Sequence, residues 1–159
     1  MTKTNALRLL DKAGVPYRLI SYAYAAENLD VATIAADNQL ALGQVFKTLV
    51  CTGDKTGPVV AIVPGDESLD LKALARVSGN KKMALLPLKD LTPTTGYVRG
   101  GCSPLGMKKR FPVYLDEGAR QWPEILVNAG ARGTLFAADP QIFAAAFGLV
   151  WAKIGEGVP

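Results

Sequence analysis

The sequence predicts an α+β domain built on a mixed sheet, and three observations carry that expectation. Helical and strand-like segments alternate without a regular βαβ period, one segment pair reads as a tight antiparallel hairpin, and 159 residues with 49% hydrophobic side chains are enough for one core. Thr4 caps a first helix in which Ala6, Leu7 and Leu10 share a face, and Gly14 with Pro16 stops it. Tyr17 to Tyr24 has strand composition. Asp30 opens a second helix through Ala36. The β-branched runs Val45 to Thr52 and Pro58 to Val63, joined by Gly53-Asp54-Lys55-Thr56-Gly57, form the hairpin. Pro64-Gly65 breaks its second strand, Ser68 or Asp70 caps a helix to Val77, and Gly79-Asn80 ends it. Met83 to Leu86 reads as a strand and Leu88 to Leu91 as a short helix after Pro87. Residues 92–106, rich in glycine and proline, read as an ordered functional loop. Three further strands are expected at Pro112 to Asp116, Ile125 to Asn128 and Thr134 to Ala137. Asp139-Pro140 then caps a helix through Phe147, and Leu149 to Ile154 closes the chain as a strand.

Composition excludes several chemistries. The chain contains no histidine, so a Ser-His-Asp triad, a Cys-His dyad and any His-ligated metal site are ruled out. Cys51 and Cys102 have no metal-ligand spacing and read as reduced thiols. No apolar run reaches the ~20 residues of a membrane span, and the N-terminus lacks a secretory cleavage pattern. A soluble cytoplasmic protein is expected. The net charge of +4 suits a polyanionic partner.

Lys47 lies in Val45-Phe46-Lys47-Thr48-Leu49-Val50, a run apolar on both faces. An ammonium is costly to desolvate, so the residue either snorkels to the strand's end or aims a cation into a cleft. The segment Thr95-Gly96-Tyr97-Val98-Arg99-Gly100-Gly101-Cys102-Ser103-Pro104-Leu105-Gly106 resembles a phosphate loop only in spacing. Met107 stands where lysine is needed, and Pro104 removes an N–H donor. It is either a tight structural turn or backbone that a ligand can approach closely. Cys102 has no base to activate it and reads as a passive thiol. Asp139 is first of all a helix N-cap. Lys81-Lys82 and Lys108-Lys109-Arg110 are either solvated faces or a phosphate-contacting patch.

Taken together, Val45-Phe46-Lys47-Thr48-Leu49, Leu69-Asp70-Leu71-Lys72, the Thr95-Gly96-Tyr97 to Gly106 segment, Ala129-Gly130 and Arg132-Gly133 resemble the YbaK/EbsC family in order and spacing. The resemblance runs from Thr4 to about Ile154. It implies a mixed, largely antiparallel, barrel-like sheet flanked by helices, with residues 1–159 forming one domain related to the editing domain of prolyl-tRNA synthetases. It also implies a deacylase of mischarged tRNA, chiefly Cys-tRNA(Pro), needing no metal or cofactor. A pocket shaped for proline cannot strongly reject an amino acid of similar size, so a second site must hydrolyse the error.

Carried over by position, the family's catalytic residues fall on Lys47, Gly101 and Asp139. The family's pocket tyrosine falls on Tyr22, and Thr48 borders the same pocket. Gly100, Cys102, Ser103 and Asn128 are expected as further substrate contacts, and from their charge Lys81, Lys82, Lys108, Lys109 and Arg110 are expected to contact the tRNA backbone. The expected roles are an electrostatic clamp for Lys47, oxyanion-facing N–H groups around Gly101, and for Asp139 the orientation of Lys47 or the substrate amine. Tyr22 walls the side-chain pocket. Two departures bear on specificity: Asn128 replaces a frequent serine, and Ala23 to Ala25 are neutral where an acidic residue or histidine is frequent. The implied partners are the acceptor end of mischarged tRNA and prolyl-tRNA synthetase. The alternatives are a deacylase for Ala-tRNA(Pro) or another small residue, and a non-catalytic module binding tRNA or a synthetase.

Overall fold

The computed structural model describes residues 3–157. Helix α1 (Asn5–Ala13) starts where the Thr4 hydroxyl accepts the Leu7 N–H, and ends at Gly14 in the left-handed region. Strand β1 (Arg18–Ser21) is shorter than expected, because only Thr134 to Ala137 pair with it. After α2 (Val31–Asp37), the expected hairpin forms as β2 (Val45–Gly53) and β3 (Gly57–Pro64), with Lys47 opposite Val63 and Thr48 opposite Ile62. The short β4 (Glu67–Leu69) was not foreseen, and α3 (Leu71–Ser78) is capped by Asp70. Strand β5 (Met83–Leu85) pairs with the far end of β2.

Helix α4 (Leu88–Thr95) overruns its expected end and contains Pro93, so residues 92–95 belong to the helix. Proline deprives this turn of one N–H. The turn survives because the Thr95 hydroxyl donates to the Leu91 carbonyl at 2.8 Å and the Gly96 N–H donates to Thr92 at 2.8 Å. The rest comprises β6 (Val113–Asp116), β7 (Ile125–Ala131), β8 (Thr134–Ala138), α5 (Pro140–Phe147), β9 (Val150–Ala152) and β10 (Gly155–Gly157). The single closing strand expected from 149 to 154 is therefore two. Asp116 causes the break: its buried carboxylate accepts the N–H groups of Ile154 at 2.9 Å and Gly155 at 2.7 Å, lifting the chain off β9 to pair β10 with β4.

The main sheet runs β1-β8-β7-β2-β3-β6-β9, with β5 also on β2. Its hairpin pairs are antiparallel; β2–β7, β3–β6 and β6–β9 are parallel. The sheet is mixed and mostly antiparallel, as expected, with β1 and β9 at the ends of the strand path. Alternation along β2 divides the core. Phe46 points to one face, where Ile62, Val127 and Phe136 pack with Leu7 and Leu10 of α1 and Phe143 of α5. Val45 and Cys51 point to the other, Val45 meeting Ile34 of α2 and Cys51 meeting Leu74 of α3. Among the described residues, no helix is long and apolar enough to cross a membrane.

Candidate functional site

Strands β2 and β7 run parallel and are paired only at Val45–Leu126 and Phe46–Val127. The next residues along, Lys47 and Asn128, lie where the strands part. β2 runs on to Gly53 with no further pairing to β7, which leaves an opening between the two strands. β7 is irregular here: its register against β8 shifts between Asn128 and Ala131, and Gly130 has a positive φ of 96°. Lys47 is half-buried and follows Val45 onto the α2/α3 face, between the apolar cluster under α2 and that under α3. Among the described residues its ammonium makes no ion pair. Burial pushes its pKa below 10.5, while Asp30, Asp66 and Glu67 act against that shift. A desolvated cation held near three carboxylates without touching them can still be given to a ligand.

The loop after α4 closes over this opening. The Gly100 carbonyl accepts the Asn128 side-chain amide at 2.8 Å and the Tyr22 hydroxyl at 3.5 Å. The Asn128 oxygen accepts the Gly130 N–H at 2.7 Å, so Asn128 staples the bulge of β7 to the loop. Gly101 then runs against β7. A Cβ there would lie 3.2 Å from the Arg132 nitrogen and 3.4 Å from the Ala131 carbonyl carbon, an approach that only glycine makes without displacing backbone. Ser103 is fully buried and its hydroxyl accepts the Leu105 N–H at 3.3 Å, while Leu105 inserts into the core beside α1.

Of the residues expected at the site, the structure brings Tyr22, Asn128, Gly100 and Gly101 together beside the opening where Lys47 lies. Three expectations need correction. Asp139 is away from the opening: it follows β8 at the end where Ala138 pairs Ile125, four residues beyond Leu135, or roughly 13 Å of strand. Its carboxylate accepts the Gln141 N–H at 2.8 Å as the cap of α5. The carboxylates that act on Lys47 are Asp30, Asp66 and Glu67, which sequence reasoning missed. Second, of the N–H groups expected around Gly101 to face an oxyanion, that of Gly101 itself is engaged, donating to the Val98 carbonyl at 2.9 Å. Third, Thr48 projects from the opposite face of β2 to Lys47, since its partner Ile62 belongs to the α1/α5 side; its buried hydroxyl has no hydrogen-bond partner among the described residues.

Cys102 is a thiol, not a thiolate. Burial pushes its pKa up to about 12. We expect Cys102→Ala to leave the rate of any reaction at this site within several-fold of wild type, and iodoacetamide at neutral pH to label the folded protein slowly; loss of activity in the alanine variant would make the thiol a participant.

The two basic groups are not brought together. Lys81 and Lys82 line a cavity of about 580 Å³ with Lys72 of α3, their N–H groups held by Asp54 at 2.9 and 3.0 Å. Lys108, Lys109 and Arg110 line a different one of about 610 Å³, with Leu9 of α1 and Phe147 of α5.

Residues 26–145 match the aminoacyl-tRNA editing domain family. The chain is 51% identical over 139 residues to EbsC of Enterococcus faecalis, whose provisional name is Cys-tRNA(Pro)/Cys-tRNA(Cys) deacylase; the match covers 87% of this chain and 85% of that one. It is 28% identical over 134 residues to the multifunctional Ser/Thr-tRNA deacylase ProXp-y of Escherichia coli K12, covering 82% and 78%. A crystal structure described as a candidate trans-editing enzyme for prolyl tRNA synthetase superposes with a TM-score of 0.81 at 27% identity, over 98% of this chain and all of that one. A hypothetical protein shares the fold, with a TM-score of 0.87 at 21% identity, over 96% of this chain and all of that one.

Proposed function

Because the chain belongs to the aminoacyl-tRNA editing domain family, we propose that it is a trans-editing deacylase that hydrolyses Cys-tRNA(Pro) in the cytoplasm. The observation that carries this reading is the 51% identity to the Enterococcus protein across 87% of the chain. The site geometry supports it: a half-buried lysine without an ion pair among the described residues lies in an opening beside the Gly100–Gly101 backbone, with neither histidine nor thiolate to serve as a nucleophile.

The step suited to such a site is substrate-assisted. The cysteinyl sulfur attacks its own ester carbonyl, a C–S bond forms, and the ester C–O bond breaks. The thiol proton passes to the departing ribose oxygen, giving free tRNA and a cysteine thiolactone that water opens. The protein contributes orientation and charge stabilisation. Lys47 stabilises the carbonyl oxygen as it gains charge. Tyr22, with its hydroxyl on Gly100, walls the amino-acid pocket. The test is a deacylation panel of Cys-, Ala-, Ser- and Pro-charged tRNA(Pro). The cysteinyl ester should be lost fastest. Equal loss of the alanyl ester would move the reading to a small-residue deacylase without thiol assistance. No loss of any ester would leave a binding module.

Recognition of tRNA through its backbone follows from the charge and from the 8% aromatic content. Replacing Lys108 and Lys109 with alanine should weaken binding of tRNA(Pro) and tRNA(Cys) alike and reduce the slope of log K against log salt by roughly 0.7–0.9 per lost contact. A strong preference for tRNA(Pro) with no salt slope would instead mean base readout, or selection by a synthetase partner.

A further inference from the structure

We propose that Arg132 is a phosphate-binding residue at the rim of the Lys47 opening, taking the terminal phosphodiester of the acceptor strand. The inference rests on the deacylase reading for the identity of the ligand, but its geometry is independent of the reaction. Arg132 follows the bulge of β7, and its Nε donates to the Arg99 carbonyl at 2.8 Å. That bond fixes the plane of the guanidinium. Its two terminal nitrogens have no partner among the described residues. A guanidinium held this way presents the flat fork that matches two phosphate oxygens.

The position is specific. The Arg132 backbone nitrogen is the atom that Gly101 approaches most closely, and its charge acts on Tyr22, whose hydroxyl meets Gly100. Arg132 therefore belongs to the same cluster as the opening, whereas the lysines described above line two other cavities. Arg132 is partly buried and its hydrogen-bonding neighbour, Arg99, is exposed; neither arginine pairs with a carboxylate among the described residues. Two uncompensated cations on one rim favour an anion between or beside them. In an aminoacyl-tRNA the phosphodiester of the esterified nucleotide is the anion nearest the ester.

The test uses an uncharged RNA tetranucleotide ending in CCA, titrated at several salt concentrations against wild type, Arg132→Gln and Arg132→Lys. Arg76→Gln on α3 serves as an equal charge loss elsewhere. Arg132→Gln should weaken binding about tenfold and lower the salt slope by about 0.7, the value for one phosphate contact on a single strand. Arg132→Lys should keep most of the slope but lose several-fold in affinity, because a point charge does not reproduce the fork. Arg76→Gln should change neither. With Cys-tRNA(Pro), Arg132→Gln should raise KM and leave kcat within about threefold. Unchanged affinity and slope in both Arg132 variants overturn the proposal, as does a fall in kcat with constant KM, which marks a purely loop-holding role. If Arg132→Gln does not fold, wild-type affinity in Arg132→Lys overturns it alone. Because the tetranucleotide carries no ester, failure of the deacylase reading would appear only in the charged-tRNA panel.

Discussion

Lys47→Met is expected to lower deacylation by about 10²–10³, the usual cost of removing one oriented electrostatic group from a reacting carbonyl, while the protein stays folded. The fold should tolerate the change because methionine keeps most of the stem and removes a charge that burial disfavours. The measurement is single-turnover loss of the cysteinyl ester, with the melting temperature as control. A variant with near-normal rate would reduce Lys47 to a solvated strand residue.

The same residue predicts a pH dependence. Burial lowers the Lys47 pKa in the folded state, so its proton is lost below pH 10.5. After subtraction of uncatalysed ester hydrolysis, the catalysed rate should fall on the alkaline side with a midpoint below that value. For stability the sign is opposite. Between the folded and unfolded pKa values the unfolded chain binds more protons at this residue, so its contribution to stability rises with pH across that window. Lys47→Met should abolish both trends.

The second large effect is on stability. Asp116 is 4% exposed and accepts three backbone N–H groups: Gly118 at 2.9 Å on one oxygen, Ile154 and Gly155 on the other. Asp116→Ala would strand these donors in a buried place, each unmet donor costing about 1–3 kcal/mol. A loss of about 3 kcal/mol or more is expected, a fall of roughly 6–12 °C in Tm for a chain of this size. Asp116→Asn can keep the Ile154–Gly155 oxygen and lose only Gly118, so it should fall between wild type and alanine. Equal Tm values for all three would mean that the chain end is held by its apolar contacts alone. Glu67 packs nearby and its pKa is raised by burial and by the charge of Asp116, so Asp116→Ala should also bring the Glu67 carboxyl back toward its ordinary value.

The parts of the fold legible in the sequence were those written in local chemistry. Thr4, Asp30, Asp70 and Asp139 each cap the helix they precede, and the turn Asp54-Lys55-Thr56 between the paired Gly53 and Gly57 closes the expected hairpin. The misread parts depend on bonds that composition does not announce, some local and some between groups distant in sequence. Pro93 would end an isolated helix, but side-chain and backbone bonds around Thr95 and Gly96 extend the turn. The last strand breaks because a carboxylate nearly forty residues earlier captures its backbone. At the site, Lys47 stood out as a charge in an apolar strand. Its acidic neighbours Asp66 and Glu67 were within reach of the same reasoning, since the hairpin register that sets Lys47 opposite Val63 also brings the residues after Pro64 back beside it. Asp139 had the chemistry for a partner but lies at the wrong end of β8, and composition alone does not say which end of a strand a cap occupies.

The strand order also sets a timetable for the newborn chain. β1 pairs with β8, about 120 residues later, and α1 docks on β7 through the Thr4 hydroxyl and the Ala129 carbonyl. At ribosomal speeds of about 5–20 residues per second, Leu7 and Leu10 leave the ribosome and wait roughly 6–24 seconds for the strands that cover them. The β2–β3 hairpin can form meanwhile, but its Lys47 end stays open until β7 arrives. The amino-terminal helix is thus a natural client for a holding chaperone, and a ribosome stalled shortly before residue 125 would carry an unprotected apolar surface and no assembled site.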